Sequence, residues 1–231
     1  MGKANGIYKR NDNRWEARYK KGVGPNGRAI YGAVYGSSRE EVEEKRKALI
    51  GEPNQQKVPT ELNLLILGAG SHGRDVKEIA ESLRIFHKIK FLDDEMKGED
   101  IIGTCKEALR FKNEYTCAIV AIGDNKVRKK LSEFLKSINY LLPKLIAPTA
   151  VISQNAIIGD GTVIMAQANI GAAEIGSGCI LAPGCNISSD VVINEYSRVD
   201  TAGVVPKGSN LPKETWVQSG EVYNKANLVL A

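Results

Sequence analysis

The sequence predicts a multidomain chain: a small β-β-β-α module, a small parallel α/β Rossmann-like domain, and a left-handed parallel β-helix. Three observations carry this. Aliphatic residues recur every six positions in the last third of the chain, a GxGxxG loop joins a strand to a helix in the middle, and basic charge gathers at the front. We place the module at 1–52, a linker at 53–60, the α/β domain at 61–145, and the β-helix with its tail at 146–231.

The repeat is the strongest signal. Ile146, Ile152, Ile158, Ile164 and Ile170 are six apart. One rung is then a residue short, and Ile175, Leu181, Ile187, Ile193, Val199 and Val205 resume the period. A helix repeats near 3.6 and a strand near 2, so neither explains a six. A fixed period indicates stacked units sharing one core. Three six-residue rungs make a triangular coil with the aliphatic residue inside. Small residues at Gly161, Ala173, Gly178 and Gly184 suit tight corners. The repeat is expected to stop near Val205-Pro206-Lys207-Gly208, and the tail Trp216–Ala231 to lack the period.

In the middle region, Leu62–Leu67 reads as a strand running into Gly68-Ala-Gly70-Ser-His-Gly73. A helix is expected over Arg74–Leu83, strands at Ile89–Leu92 and Cys117–Ile122, a helix over Val127–Ile138, and a returning strand at Tyr140–Leu145. Alternation of this kind indicates a parallel sheet. In the loop, Gly68 permits the turn, Gly70 lets backbone approach a diphosphate, and Gly73 allows close helix–strand packing, while the helix N-terminus offers N–H groups to an anion. Asp93 falls 20 residues after Gly73, where a dinucleotide site places its ribose acid. A nicotinamide enzyme and a glycine-rich turn without ligand are the alternatives. The small size of the domain and its direct run into the coil favour a nucleotide-sugar.

The front of the chain is basic. Residues 1–60 carry 13 Lys/Arg against 7 Asp/Glu, while the rest carry 19 against 20. Arg14, Glu16, Arg18 and Lys20 alternate with Trp15, Ala17 and Tyr19, so one strand face is charged and the other apolar. Gly24-Pro-Asn-Gly27 signals a turn, Arg28–Tyr35 a strand, and Ser38-x-x-Glu41 a capping box opening a helix over Glu40–Ile50. No apolar run reaches the ~18 residues of a membrane span, and no secretory h-region opens the chain. The four cysteines lack CxxC spacing, so neither a metal site nor a disulfide framework is expected, and the cytoplasm is the default.

The six-residue period resembles that of the hexapeptide-repeat acyltransferases. More narrowly, LILGAGSHGRDVKEIAE, FLDDE, AIVAIGDNKVRKKL and IAPTAVISQNAIIGDGTVI together resemble nucleotide-sugar acetyltransferases that modify amino-sugars for bacterial surface glycans, and the related sialic-acid O-acetyltransferases. The resemblance implies a homotrimer, acetyl-CoA as co-substrate, and a UDP- or CMP-linked sugar held by Gly68, Gly70, Ser71, His72, Asp93 and Asp124. It also exposes a departure. The relatives' base histidine falls at Ser189, the following acid at Asp190, a second histidine nine residues on at Arg198, and an asparagine at Ala182. Both histidines of the chain, His72 and His87, precede the coil. Ser189, Asp190 and Arg198 therefore stand as the catalytic candidates. Three readings stay open: Asp190 replaces the base, although an ordinary carboxylate is a weak one at neutral pH; His72 supplies it from a neighbouring domain; or the chain binds sugar-nucleotide without catalysis.

GIYKRNDNRWEARY, the Asn-Gly turn and the Glu/Lys-rich helix resemble the arm-type DNA-binding domain of tyrosine integrases. That resemblance implies DNA contacts through residues 1–52, at Arg10, Arg14, Arg18, Lys20, Lys21 and Arg28. The alternative is a solvated basic sheet that binds other protein, or a trimer partner.

Overall fold

The computed structural model describes residues 6–23, 29–50 and 62–224. The chain divides into two compact units, Met1–Thr60 and Glu61–Ala231. Among the described residues, no helix is long and apolar enough to cross a membrane.

In the first unit, β1 (Ile7–Lys9), β2 (Trp15–Val23) and β3 (Ala29–Gly36) form an antiparallel sheet in that order, followed by α1 (Arg39–Ile50). Alternation works as expected on the side of Ala17, which is fully buried, as is Val42 of α1. The Glu41 N–H donates to Ser38 Oγ at 3.1 Å, and the Glu41 carboxylate accepts from Ser37 N at 2.7 Å. The capping box therefore closes one residue earlier than its motif implies. The Gly24–Gly27 turn and the 53–60 linker lie outside the described residues.

The second unit opens with a parallel sheet of β4 (Leu62–Leu67), β5 (Phe86–Leu92) and β6 (Cys117–Val120), in the order β5-β4-β6. Central β4 is buried from Leu64 to Leu67, which explains its unbroken apolar run. Helix α2 (Ser71–Leu83) covers one side with Val76, Ile79 and Ala80, and α3 (Asn125–Ser137) the other with Leu135. Each helix begins earlier than expected, because Gly73 is tolerated inside α2 and Asp124 caps α3. The expected strand at Tyr140–Leu145 reduces to one bridge between Leu141 and Cys117. Pro143 has no N–H for a ladder there, and Leu145 already belongs to the coil.

The coil is a three-sided stack of two-residue strands that fits the expected left-handed parallel β-helix. Its first face holds Leu145–Ile146, Val163–Ile164, Ile180–Leu181, Arg198–Val199 and Trp216–Val217. The second holds Val151–Ile152, Asn169–Ile170, Asn186–Ile187 and Val204–Val205; the third holds Ile157–Ile158, Glu174–Ile175, Val192–Ile193 and Asn210–Leu211. The second residue of each pair points inward and builds one continuous core. The short rung lies between Ile170 and Ile175, and no left-handed residue occurs at Ala173, the corner expected there. From Gly161 onward a positive φ marks the other corners, at Gln167, Gly178, Gly184, Asp190, Tyr196 and Ala202 among others.

The expected end of the repeat is wrong. Leu211, Val217 and Tyr223 continue the six-residue spacing from Val205, and all three are buried in the same core. The outward residues there, Asn210 and Trp216, are polar or aromatic just as Asn169, Asn186 and Arg198 are lower in the coil, and the inward positions keep the period.

The α/β part and the coil are welded together. Leu145, Val163, Met165 and Ala182 from the coil share a core with β4 and α2. From the other side, the fully buried Arg128 of α3 donates to the Gly178 carbonyl at 2.7 Å and the Tyr196 carbonyl at 2.8 Å.

Candidate active site

The site begins with the glycine loop. Gly68 has φ +104, a conformation that favours glycine, and a Cβ on Gly73 would overlap the Gly68 carbonyl oxygen. Gly70 has open space around its missing side chain. The turn at Gly68 and the close packing at Gly73 are therefore present, and the Gly70 backbone is left uncovered. Gly70 is the N-cap of α2 and provides no side-chain acceptor, so the first-turn N–H groups, those of Ser71 and His72 among them, face outward without a cap. Such a terminus attracts anions.

Asp93 is placed next to this loop, but its carboxylate is already engaged. Oδ2 accepts from Ala69 N at 2.7 Å, and Oδ1 accepts from Glu95 N at 2.9 Å and Met96 N at 2.8 Å. Asp93 thus ties the glycine loop to the turn after β5, and these hydrogen bonds hold its carboxyl below the usual range against the opposing effect of burial. Asp94 Oδ1 accepts from Cys105 N at 2.9 Å. Asp124 caps α3, accepting from Val127 N at 2.8 Å.

Two adjoining clefts open at this point, each of about 500 Å³. The first is lined by the glycine loop, His72, Asp94 and Glu95; the second by Asp124, Asn125, Glu214 and Trp216. Gly123 and Arg198 border both. Arg198 reaches them because it is the outward residue of the fourth strand on the first face. It donates from Nε to Asp200 Oδ1 at 2.5 Å, and Trp216 Nε1 donates to Asp200 Oδ2 at 2.8 Å. The Arg198 guanidinium lies 5.4 Å from the Trp216 ring centre. Asp200 and Trp216 are not among the site residues expected from the sequence. The signal that finds them is the 18-residue coil repeat, which stacks Trp216 directly over Arg198.

His72 is a partly buried ring whose Nε2 is sealed from solvent and has no hydrogen-bond partner. Burial, with the cations Arg198 and Arg128 nearby, lowers its pKa to about 4. The ring is therefore neutral at neutral pH.

The three catalytic candidates are not brought together within one chain. Ser189 and Asp190 occupy the turn between the second and third faces, the edge opposite Arg198 on the first. Asp190 is exposed, has φ +60, and pairs with Lys207 at 3.2 Å. Aspartate is among the residues that best tolerate that backbone, so its identity has a conformational reason. Ser189 Oγ accepts from Ala172 N at 3.3 Å across the shortened rung. The four cysteines are buried and free, with Cys105 and Cys185 pushed up to about 12 by burial. Among the described residues, no cluster could hold a metal ion.

The basic module has a different electrostatic character from the one expected. Glu16 is buried on the charged face and accepts from Arg10 Nη1 at 3.0 Å, Arg18 Nε at 2.9 Å and Tyr8 Oη at 2.5 Å. Arg14 pairs with Asp12 at 2.7 Å. Arg10, Arg14 and Arg18 are thus each matched by an acid, Glu16 on β2 or Asp12 in the turn before it. The side chains of Lys20 and Lys21, and the whole of Arg28, lie outside the described residues.

Comparison with known proteins follows the same division. Residues 63–135 match the family model of the PglD N-terminal domain. Over 111 residues the chain is 34% identical to the UDP-N-acetylbacillosamine N-acetyltransferase of Bacillus subtilis, which covers 45% of this chain and 51% of that protein. The chain therefore spans about half the length of this curated relative. The acetyltransferase domain of PglB from Neisseria gonorrhoeae superposes with a TM-score of 0.59 at 29% identity, covering 68% of this chain and 86% of that one. The perosamine N-acetyltransferase of Caulobacter crescentus, solved with CoA and GDP-perosamine, gives a TM-score of 0.59 at 22% identity, covering 70% of this chain and 89% of that one, and shows likeness of fold. Fold and cleft together define a protein built like the hexapeptide-repeat sugar N-acetyltransferases. Within it, the glycine-loop domain is similar to the one that opens PglD.

Proposed function

We propose that the chain is an acetyl-CoA-dependent acyltransferase acting on a UDP- or CMP-linked sugar for bacterial surface-glycan synthesis, working in the cytoplasm as a homotrimer. The observation that carries this is the convergence of an uncapped helix N-terminus, the Gly68–Gly70 loop and Arg198 on one double cleft. A diphosphate fits such a terminus, and the flanking spaces suit a nucleoside and a sugar. The relatives' names supply the chemistry: the Bacillus subtilis protein acts on a UDP-linked sugar, and the PglB domain has been solved with acetyl coenzyme A.

In the transfer, the acceptor amine or hydroxyl attacks the thioester carbonyl, the C–S bond breaks, and CoA leaves. The acceptor's proton must pass to a base. Asp190 stands on the edge opposite its own cleft, so as a base it acts on the cleft of a neighbouring copy, which is what a trimer provides. His72 is the alternative base, neutral and beside the glycine loop. A second reading, sugar-nucleotide binding without transfer, is supported by the lack of any histidine in the coil. A DNA-binding role for 1–52 receives little support from arginines already paired with Asp12 and Glu16.

Thermal-shift titration with UDP-sugars, acetyl-CoA and NAD separates these. Stabilisation by nucleotide-sugar and by acetyl-CoA supports the transferase. Stabilisation by the sugar-nucleotide alone supports the binder, and stabilisation by NAD alone removes both.

A further inference from the structure

The second cleft has a feature that the diphosphate site does not require. The outward residues up the first face of the coil are Leu145, Val163, Ile180, Arg198 and Trp216. The first three are buried, but Trp216 stays 56% exposed at the cleft wall. It is not loose. Its indole N–H is held by the buried Asp200, and the Arg198 guanidinium lies near its ring. The facing wall is fixed as well: Asn125 Nδ2 donates to the Glu214 carbonyl at 2.8 Å, and Lys129 pairs with Glu214 at 2.8 Å. A large aromatic surface is thus presented rigidly to an open space.

We infer that Trp216 is the stacking wall of a sugar subsite in the second cleft, with Arg198 clamping the phosphate at the junction. This rests on the nucleotide-sugar reading and adds the orientation of the ligand. The acids following β5, Asp94 and Glu95, line only the first cleft, and acids at that position take ribose hydroxyls. The nucleoside therefore lies on the β5 side of the phosphate, and the other substituent lies toward α3 and Trp216. A pyranose presents one face of C–H bonds, whose partial positive charge suits the negative π-face of an indole. Arg198 makes no hydrogen bond from Nη1 or Nη2 among the described residues, which leaves these donors for phosphate oxygens.

The chain has two tryptophans, Trp15 and Trp216, so a Trp15→Phe full-length variant reports on Trp216 alone. Its emission is titrated with UDP and UDP-N-acetylglucosamine, with GDP and GDP-mannose, and with CMP and CMP-N-acetylneuraminate. For the pair that binds, the nucleotide-sugar changes Trp216 emission and protects it from acrylamide, and the bare nucleotide does neither. Trp216→Ala weakens the nucleotide-sugar about tenfold and leaves the bare nucleotide unchanged, and Trp216→Phe restores most of the loss. Equal emission changes with both members of a pair would place the base on Trp216 and overturn the inference while keeping the nucleotide-sugar reading. So would a Trp216→Ala variant that weakens both members equally. Emission that is shielded without ligand and opens on dilution would assign Trp216 to contact with a second copy, which also overturns it. Binding of no pair would remove the nucleotide-sugar reading itself, and this inference with it.

Discussion

Arg128 Nε donates to the carbonyl of Gly178 at 2.7 Å, so a helix of the α/β domain is bonded directly into a corner of the coil. The same guanidinium reaches the carbonyls of Ile122, Gly123 and Tyr196 and the Asn125 side chain. None of these partners is a carboxylate, and burial lowers its pKa to about 10. Replacing it strands several buried acceptors. Arg128→Lys is expected to cost about 3 kcal/mol in urea unfolding. A change within 0.5 kcal/mol would show that the seam is held by apolar packing alone.

The loop glycines should separate folding from binding. A Cβ at Gly73 collides with backbone, whereas one at Gly70 meets nothing within 4 Å. Gly73→Ala is expected to cost about 3 kcal/mol or more. Gly70→Ala should leave the melting temperature nearly unchanged yet weaken nucleotide binding, because the added methyl stands where phosphate approaches. Equal stability losses in the two variants would contradict this.

Acid should act first through His72. Its folded pKa, about 4, lies below the ordinary 6.5. As pH falls the unfolded chain takes up the proton first, so this contribution is full above 6.5 and lost on the way to 4. The loss is on the order of 3 kcal/mol at most. Asp100, held at about 2 by Lys77 and Lys90, gives way only below its ordinary 3.8, so the two windows do not overlap. His72→Asn should flatten the stability profile between pH 6.5 and 4 in chemical denaturation. An unchanged slope would mean that the ring is protonated in the folded protein.

The upper coil makes its own claim. Leu211 is fully buried, one rung past the point where the repeat looks finished in the sequence. Leu211→Ala should cost about 2–5 kcal/mol, as for other core leucines. A cost under 0.5 kcal/mol would indicate a tail with no core.

Much of this architecture is legible in the residues, for a definable reason. The coil period and the glycine loop are local patterns, each set by spacing along the chain. What stayed hidden depends on tertiary contact. Asp93 looks like a ribose acid by position, yet it spends its carboxylate on three backbone N–H groups. Asp190 looks like a base by its place in the resembled motif, yet it sits at a left-handed corner opposite the cleft. Arg128 is the outlier on the apolar side of α3, and a guanidinium in such a stripe signals a buried cross-link only once its carbonyl partners are known.

In the proposed function, one double cleft holds a nucleotide-sugar for acyl transfer. Release of CoA thiol from acetyl-CoA by the full chain, measured with a panel of UDP-amino-sugars, tests it most directly. Acceptor-dependent release is expected, with acetylated sugar formed in equal amount, and with Asp190 as the base it falls at least tenfold in Asp190→Asn. Release unaffected by Asp190→Asn would move the base to another group and leave the transferase reading standing. The absence of acceptor-dependent release, together with no thermal stabilisation by any nucleotide-sugar, would contradict the claim outright.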